Sequence, residues 1–329
     1  MDLAQRLNRI WYESAAVPWW LAALVPVYRA LAALRQLPYA LGLRRPARIG
    51  VPVVVVGNLV VGGSGKTPLV IALVAALRER GWRPGVVSRG YGGSARVAMR
   101  VDDATSPTLA GDEPCLIRRR CGVPVAVGRN RAEAARLVLE QGADVVIADD
   151  GLQHPALARD IEICVIDGRR RFGNGRLLPA GPLREPLTRL YEVDFRVCNG
   201  NQAHAGEIGM QLVGSQAVPL AGTAPPRPVT DFAGQRVHGV AAIGDPARFF
   251  ASLRAAGLEV CEHAFADHHA FAAADLDFGD NLPVLMTEKD AVKCAAFARA
   301  GHWYVPITAL LPAALADAVS TRLGGGKAA

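Results

Sequence analysis

The sequence predicts an α/β fold: a parallel sheet with helices on both faces, a smaller αβ unit after it, and an apolar helix before it. Three observations carry this. From residue 51 onward, valine-rich runs of strand length alternate with helical stretches. The first such run enters a glycine-rich turn and then a helix. Ahead of it lies a stretch of different character, apolar and flanked by arginine. At 329 residues, with 51% apolar and 20% charged, the chain can build two sizeable cores.

The apolar stretch, residues 15–35, reads AAVPWWLAALVPVYRALAALR. As a helix it would be roughly 32 Å long, about the thickness of a bilayer core. Arg29 interrupts it and Pro18 and Pro26 lie within it. Trp11, Tyr12, Trp19 and Trp20 gather near its start, where interfacial aromatics belong. No small-residue cleavage site follows, so it reads as retained and not as a removed signal peptide. Three readings fit: a helix lying in a membrane interface, a true span, or a helix packed on the protein's own core. On a membrane, Arg44, Arg45 and Arg48 would face the cytoplasm.

Next, residues 51–56 read as a buried strand with Pro52 at its very start. Residues 68–80 are helical and stop at Gly81; 84–88 form a second strand. A helix at 114–120 and another at 131–141 precede a third strand at 143–148, and 161–167 form a fourth. Residues 168–190, rich in Gly, Pro and Arg, read as a long functional loop, and 218–228 as a linker. Strand 237–243, helix 246–256, strand 258–265, a helix near 270–277 and strands 283–287 and 303–307 follow. This divides the chain into an N-terminal helix (1–43), a core (44–217) and an αβ subdomain (218–329).

Net charge is +7, and the first fifty residues carry seven arginines against Asp2 and Glu13. Positive charge concentrated beside the apolar stretch suits an anionic membrane surface and excludes an evenly basic nucleic-acid binder. Six cysteines with no C-x-x-C pair exclude a disulfide framework or a zinc ribbon and fit a reducing compartment. Lysine is rare: Lys66, Lys289, Lys293 and Lys327 are the whole set.

The first strand runs into GNLVVGGSGKTPL and a helix. That order makes a cradle in which backbone N–H groups and the helix N-terminus face phosphate. Val60, Val61, Gly62, Gly63, Ser64 and Gly65 would wrap ATP, Lys66 would reach its β- and γ-phosphates, and the Thr67 hydroxyl would bind Mg²⁺. The strict pattern G-x-x-x-x-G-K-[ST] fails at one place, where Val60 stands for glycine. Such a loop needs an acidic residue at the end of a neighbouring strand, and the third strand ends in Asp149 and Asp150.

Further strings are SRGYGG (88–93), GDEP (111–114), GRNR (128–131), DDGLQH (149–154), RDIEI (159–163), FGNGRLLPAGPLREP (172–186), FADHH (265–269) and TEKDAVK (287–293). In order and number they closely resemble the tetraacyldisaccharide 4′-kinase family, over nearly the whole chain. The resemblance implies a P-loop NTPase-like fold and transfer of the ATP γ-phosphate to the 4′-hydroxyl of tetraacyldisaccharide 1-phosphate. The product is the lipid A precursor lipid IVA, made at the cytoplasmic face of the bacterial inner membrane. It implies a glycolipid substrate and a membrane surface as partners, and neither nucleic acid nor an obligate protein partner.

The resemblance also places Asp112 at the catalytic centre, helping to deprotonate or orient the sugar hydroxyl, and Glu113 near the metal with Asp149 and Asp150. Asp150 is favoured for direct involvement. His268 resembles the histidine that pairs with the GDEP aspartate, and a carboxylate–imidazole pair is a reasonable proton acceptor. Gln153 and His154 would line the same mouth. Arginines suit phosphate by their fork geometry, with Arg89, Arg129, Arg131 and Arg171 as substrate candidates beside Arg170 and Arg176. Lys289 and Lys293 receive no role beyond contributing to the cleft. A partitioning-type ATPase would carry lysine where Val61 stands. A GTPase would have its lysine one position earlier than TEKD has it. A non-catalytic lipid binder would leave the phosphate loop without a purpose.

Overall fold

The computed structural model describes residues 3–13, 15–200 and 202–324; the extreme ends of the first and last predicted units, Lys327 among them, lie outside the described residues. Its strands, in chain order, are β1 (Val53–Gly57), β2 (Pro84–Ser88), β3 (Met99–Val101), β4 (Val125–Val127), β5 (Val145–Asp149), β6 (Ile161–Asp167), β7 (Phe195–Asn199), β8 (Ile208–Val213), β9 (Gln216–Pro219), β10 (Arg227–Pro228), β11 (Arg236–Ala241), β12 (Glu259–Ala264), β13 (Val284–Thr287), β14 (His302–Val305) and β15 (Thr308–Leu310). The helices are α1 (Leu3–Tyr12), α2 (Trp19–Ala40), α3 (Lys66–Glu79), α4 (Pro107–Ala110), α5 (Asp112–Cys121), α6 (Arg131–Leu139), α7 (Pro246–Ala255), α8 (Glu288–Cys294) and α9 (Ala313–Arg322).

The larger sheet has the order β15-β8-β7-β6-β1-β5-β2-β4-β3. Strands β8 to β4 are parallel, and the two edges, β15 and β3, are antiparallel. Strand β1 alternates its valines between two cores. Val54 and Val56 face α3, α5 and α9, with Leu69, Leu73, Ile117 and Val319. Val53 and Val55 face α6 and the 152–193 segment, with Val138, Leu157 and Ile166. Burial on both faces explains the unbroken apolar runs of β1, β5 and β6. Strand β5 pairs on one side of β1 and β6 on the other, so the chain reverses its direction across the sheet there. The crevice at the carboxyl ends of these strands is where open α/β sheets bind ligands.

The smaller sheet has the order β10-β9-β14-β13-β11-β12. Phe232, Phe250, Leu253, Leu285 and Trp303 fill one of its cores, and Val240, Leu276, Met286 and Cys294 the other. The stretch 218–228 is not a plain linker: Val218 and Pro219 pair with β14, and Arg227 and Pro228 pair back antiparallel on Ala217 and Gln216. The helix expected near 270–277 is a single 3₁₀ turn, Ala273–Leu276. After β14 the chain returns to the larger lobe. Strand β15 extends that sheet beside β8, and α9 packs there through Leu315 and Val319, with the Trp82 indole N–H donating to Ser320 Oγ at 3.2 Å.

Helices α1 and α2 lie against the 175–187 segment. The Tyr28 hydroxyl donates to the Arg184 carbonyl at 2.8 Å, Gln36 Nε2 to Glu185 Oε1 at 3.2 Å, and the Trp11 indole to the Pro179 carbonyl at 3.0 Å. Of the apolar side chains of α2 only Leu21 is buried; Trp20, Leu24, Val27, Leu31 and Leu34 form an exposed stripe at helical spacing. Among the described residues no helix is long and apolar enough to cross a membrane. A groove of about 730 Å³ runs between α2 and residues 175–187.

Candidate active site

Strand β1 delivers a loop that turns into α3. Gly62 (φ +105°) and Gly65 (φ +96°) take backbone conformations that favour glycine. A Cβ at 65 would stand 2.8 Å from Asn199 Nδ2, which donates to the Ser64 carbonyl at 3.1 Å. The first half of the loop is shaped differently. Val60 forms an antiparallel bridge with Leu183, the Val61 N–H donates to the Pro182 carbonyl at 2.9 Å, and the Arg184 N–H donates to the Leu59 carbonyl at 2.7 Å. Residues 182–184 are thus a strap over the loop, and the residue at 60 is an extended, buried valine instead of a turning glycine.

The strap brings Arg184 to the end of β5. Its Nη1 donates to both oxygens of Asp150 at 3.1 and 3.2 Å and to Gln153 Oε1 at 3.4 Å. Lys66 Nζ lies 3.6 Å from Asp150 Oδ1 and donates to Asn58 Oδ1 at 3.3 Å. Burial alone would raise the Asp150 carboxyl; Lys66 and Arg184 outweigh it and hold the group below its ordinary range. Asp149 is the opposite case. It is fully buried and neither carboxylate oxygen has a hydrogen-bond partner. Burial, then the charges of Glu113 and Asp150, push its carboxyl up to about 7. Thr67 is buried in the first turn of α3. The orphaned Asp149 oxygens and the Thr67 hydroxyl are hard oxygen donors, a set that fits Mg²⁺. Among the described residues no three His, Cys, Asp or Glu side chains form a metal cage of their own.

The second half of the site spans the two lobes. Asp112 opens α5 after Gly111, whose φ of +93° and whose Cβ position, 2.5 Å from the Tyr91 carbonyl, require glycine. His268 comes from the loop after β12, with φ +62°. Its Nδ1 lies 3.1 Å from Asp112 Oδ2. On the other side of the ring, Lys289 Nζ lies 3.3 Å from Nε2. An ammonium can only donate, so Nε2 accepts and the Nδ1 proton goes to Asp112. Lys289 also lies 3.5 Å from Glu113 and 3.6 Å from Asp267. Lys293 stands 3.8 Å from Asp112 Oδ2. Burial works to raise the Asp112 carboxyl, but the His268 hydrogen bond and the two lysines hold it below its ordinary range. A Cβ at Gly244, in the turn before α7, would stand 3.6 Å from the Gly63 nitrogen and 3.8 Å from Asp267. The smaller lobe therefore faces the tip of the glycine-rich loop.

Of the arginines expected at substrate, Arg89 and Arg129 are exposed just past the carboxyl ends of β2 and β4. Arg131 is buried, donates to the Gly128 carbonyl at 2.7 Å, and is brought down to about 10 by burial against the pull of Asp149 and Asp150. Arg171 is spent elsewhere, in a two-pronged pair with Glu207 at 2.6 and 2.9 Å. Gln153 donates to the Asn58 carbonyl at 3.1 Å and to Glu185 at 2.8 Å. His154 is brought down to about 4, chiefly by burial. Arg184 was missed as a site residue; its string, GPLREP, was visible, but its place beside Asp150 depends on the strap.

A sequence profile of the family described as LpxK, tetraacyldisaccharide-1-P 4′-kinase, matches residues 17–324. The chain belongs to this family. Relatives carrying that kinase's name include one from Stenotrophomonas maltophilia (strain R551-3), 52% identical over 323 residues and 95% of each chain. Another, from Xanthomonas euvesicatoria pv. vesicatoria, is 52% identical over 326 residues, covering 95% of this chain and 94% of that one. The crystal structure of the "apo" form of LpxK from Aquifex aeolicus in complex with ATP superimposes with a TM-score of 0.76 at 27% identity, covering 92% of this chain and 99% of that one. Membership in the tetraacyldisaccharide-1-P 4′-kinase family makes the protein a phosphotransferase with a hydroxyl acceptor, in lipid A biosynthesis.

Proposed function

We propose that this kinase moves the γ-phosphoryl group of ATP to the 4′-hydroxyl of tetraacyldisaccharide 1-phosphate at the cytoplasmic face of the bacterial inner membrane, with the roles below. The observation that carries the reading is the Asp112–His268 pair, joined across the two lobes at 3.1 Å opposite the glycine-rich loop. Phosphoryl transfer is mostly positioning and charge neutralisation. Residues 62–65 and the α3 N-terminus cradle the phosphates, and Lys66 leaves Asn58 and Asp150 for the β- and γ-oxygens. Thr67, Asp149, Asp150 and Glu113 would hold Mg²⁺, which supplies charge neutralisation at the phosphates when bound.

In the transfer itself the 4′-oxygen bonds to the γ-phosphorus as the β,γ-bridging bond breaks. ADP leaves with the bridging oxygen, and the hydroxyl proton passes to the Asp112–His268 pair. With its Nδ1–H directed at Asp112, the imidazole orients that carboxylate and stabilises the charge it gains or loses. The acceptor reaches this point along the groove beneath α2, whose apolar walls suit acyl chains and whose Arg184, Arg29 and Gln36 suit a glycan phosphate. The exposed α2 stripe seats the protein on the membrane surface without crossing it.

The test is a label-transfer assay: protein, Mg²⁺, γ-labelled ATP and tetraacyldisaccharide 1-phosphate in detergent, with His268→Ala alongside. Label in the lipid, lost in the variant, is the expected result. Full transfer by His268→Ala overturns the role given to the pair, and ATP hydrolysis without labelled lipid overturns the acceptor.

A further inference from the structure

We infer that Lys293, to which neither the sequence pattern nor the family reading gives a role, is a positioning residue: from the smaller lobe it holds the Asp112 carboxylate in its working orientation. This rests on the reading of Asp112 given above.

Helix α8 runs beside α5, and three ion pairs join them across the lobes. Arg120 donates to both oxygens of Glu288 at 2.9 and 3.0 Å, Lys289 meets Glu113 at 3.5 Å, and Lys293 meets Asp112 at 3.8 Å. The Lys293 side chain is 9% exposed and its Nζ lacks a hydrogen bond of regular geometry. Asp290, fully buried, lies 2.8 Å away through Oδ1. Its Oδ2 is taken by the Thr287 hydroxyl at 2.6 Å and the Ala242 N–H at 2.9 Å, so Asp290 is a rigid abutment. Phe271 closes the back, with Nζ 5.0 Å from its ring centre.

A lysine used only to neutralise Asp290 would make a straight hydrogen bond to it. Here the ammonium sits off that geometry, between Asp290 and Asp112. The same Asp112 oxygen, Oδ2, takes the His268 contact. The smaller lobe therefore presents one hydrogen-bond donor, His268, and one positive charge, Lys293, to the same oxygen, an arrangement that favours a carboxylate rotation with Oδ1 directed away from them. Docking of the lobes thus orients the carboxylate. The residue type agrees: lysine occurs four times in a chain where arginine supplies nearly all the positive charge. A compact ammonium fits between Phe271 and two carboxylates, where a planar guanidinium needs more room.

The experiment compares Lys293→Met, Lys293→Gln and Lys293→Arg with wild type and Asp112→Asn, in full-length protein. It reads kcat, KM for ATP and for the lipid acceptor, and the melting temperature. Lys293→Met and Lys293→Gln should lower kcat by roughly 10- to 100-fold with KM for ATP within about twofold, the signature of an interaction needed in the transition state. Lys293→Arg, which keeps the charge, should recover part of the loss. Native melting with kcat near wild type in Lys293→Met overturns the inference while leaving Asp112 in place. So does a rise in both KM values without a fall in kcat. Failure of all three variants to fold marks a structural strut and overturns it as well. Full activity in Asp112→Asn removes the reading beneath it.

Discussion

Asp149 should make the nucleotide-free protein less stable than it could be. Its carboxylate is fully buried with no hydrogen-bond partner, and burial beside Glu113 and Asp150 moves it from 3.8 to about 7. At about 1.4 kcal/mol per unit, that displacement corresponds to a destabilisation on the order of 4 kcal/mol. The sign follows from which state holds the proton. Below 3.8 folded and unfolded forms are both protonated and the site costs nothing. Between 3.8 and about 7 the unfolded chain ionises while the folded one keeps its proton, so stability falls as pH rises. Above about 7 the loss is complete. Asp149→Asn imitates the protonated form at every pH. Melting curves of both proteins from pH 4.5 to 8.5, without Mg²⁺ or nucleotide, should show the variant's advantage widen with pH, reach several degrees, and level off near neutrality. Mg²⁺ with ADP should narrow the gap by stabilising wild type, and the variant should lose turnover. A gap that does not vary with pH, or a variant less stable throughout, refutes the reasoning.

Other outcomes follow from single contacts. Asp112→Asn should cut kcat by roughly 10²- to 10⁴-fold while a fluorescent ATP analogue binds as in wild type; weakened nucleotide binding would place Asp112 in the cradle instead. Arg120→Met leaves the buried Glu288 carboxylate, already raised by burial, without its guanidinium, and should cost about 3 kcal/mol at pH 8. The loss should shrink as pH falls, because burial raises the Glu288 carboxyl and favours its protonated form, and calorimetry across the acid range checks this. Leu31→Glu with Leu34→Glu puts charge into the exposed α2 stripe and should lower flotation with anionic vesicles at least about tenfold, with the fold unchanged by circular dichroism. Val60→Gly restores the usual loop pattern, yet should cost about 2–3 kcal/mol from lost burial and added chain freedom, and should reduce kcat; a faster, equally stable variant would refute the strap.

The parts that local pattern determines were legible. Strands expected at 84–88 and 161–167 coincide with β2 and β6 because burial on both faces writes an apolar run that needs no partner to be recognised. Lys66 at a helix start and Asp149 at a strand end follow from the chain within a few residues. The edge strands β3 and β15 were not anticipated: each has a single buried residue in three, and only pairing with β4 and β8 makes them strands. The return of 308–322 to the larger lobe is likewise a tertiary matter, decided by the apolar face of α9 meeting α3. Within the site, Asp112 and His268 were named through resemblance alone, since nothing local joins residues in different lobes. Lys289 and Lys293 stood out only as rarities, because their partners lie across a docking surface that no window of sequence contains.

The departure at Val60 ties these levels together. A loop with glycine at that position would curve from its first residue. With valine the chain forms a strand-like bridge at 60, and such a segment has backbone donors and acceptors that need partners. Residues 182–184 supply them, through the Val61 N–H and the Leu59 carbonyl. That pairing fixes Arg184 against Asp150, lays the Arg184 carbonyl under the Tyr28 hydroxyl of α2, and puts Glu185 within reach of Gln36. One side-chain change in the cradle is thereby coupled through a strap to the helix bearing the exposed apolar stripe. The glycine-rich loop and α2 are consequently joined by one run of hydrogen bonds. A substitution that loosens α2, such as Tyr28→Phe, acts on the cradle through Arg184, from a helix that carries none of the cradle's own residues.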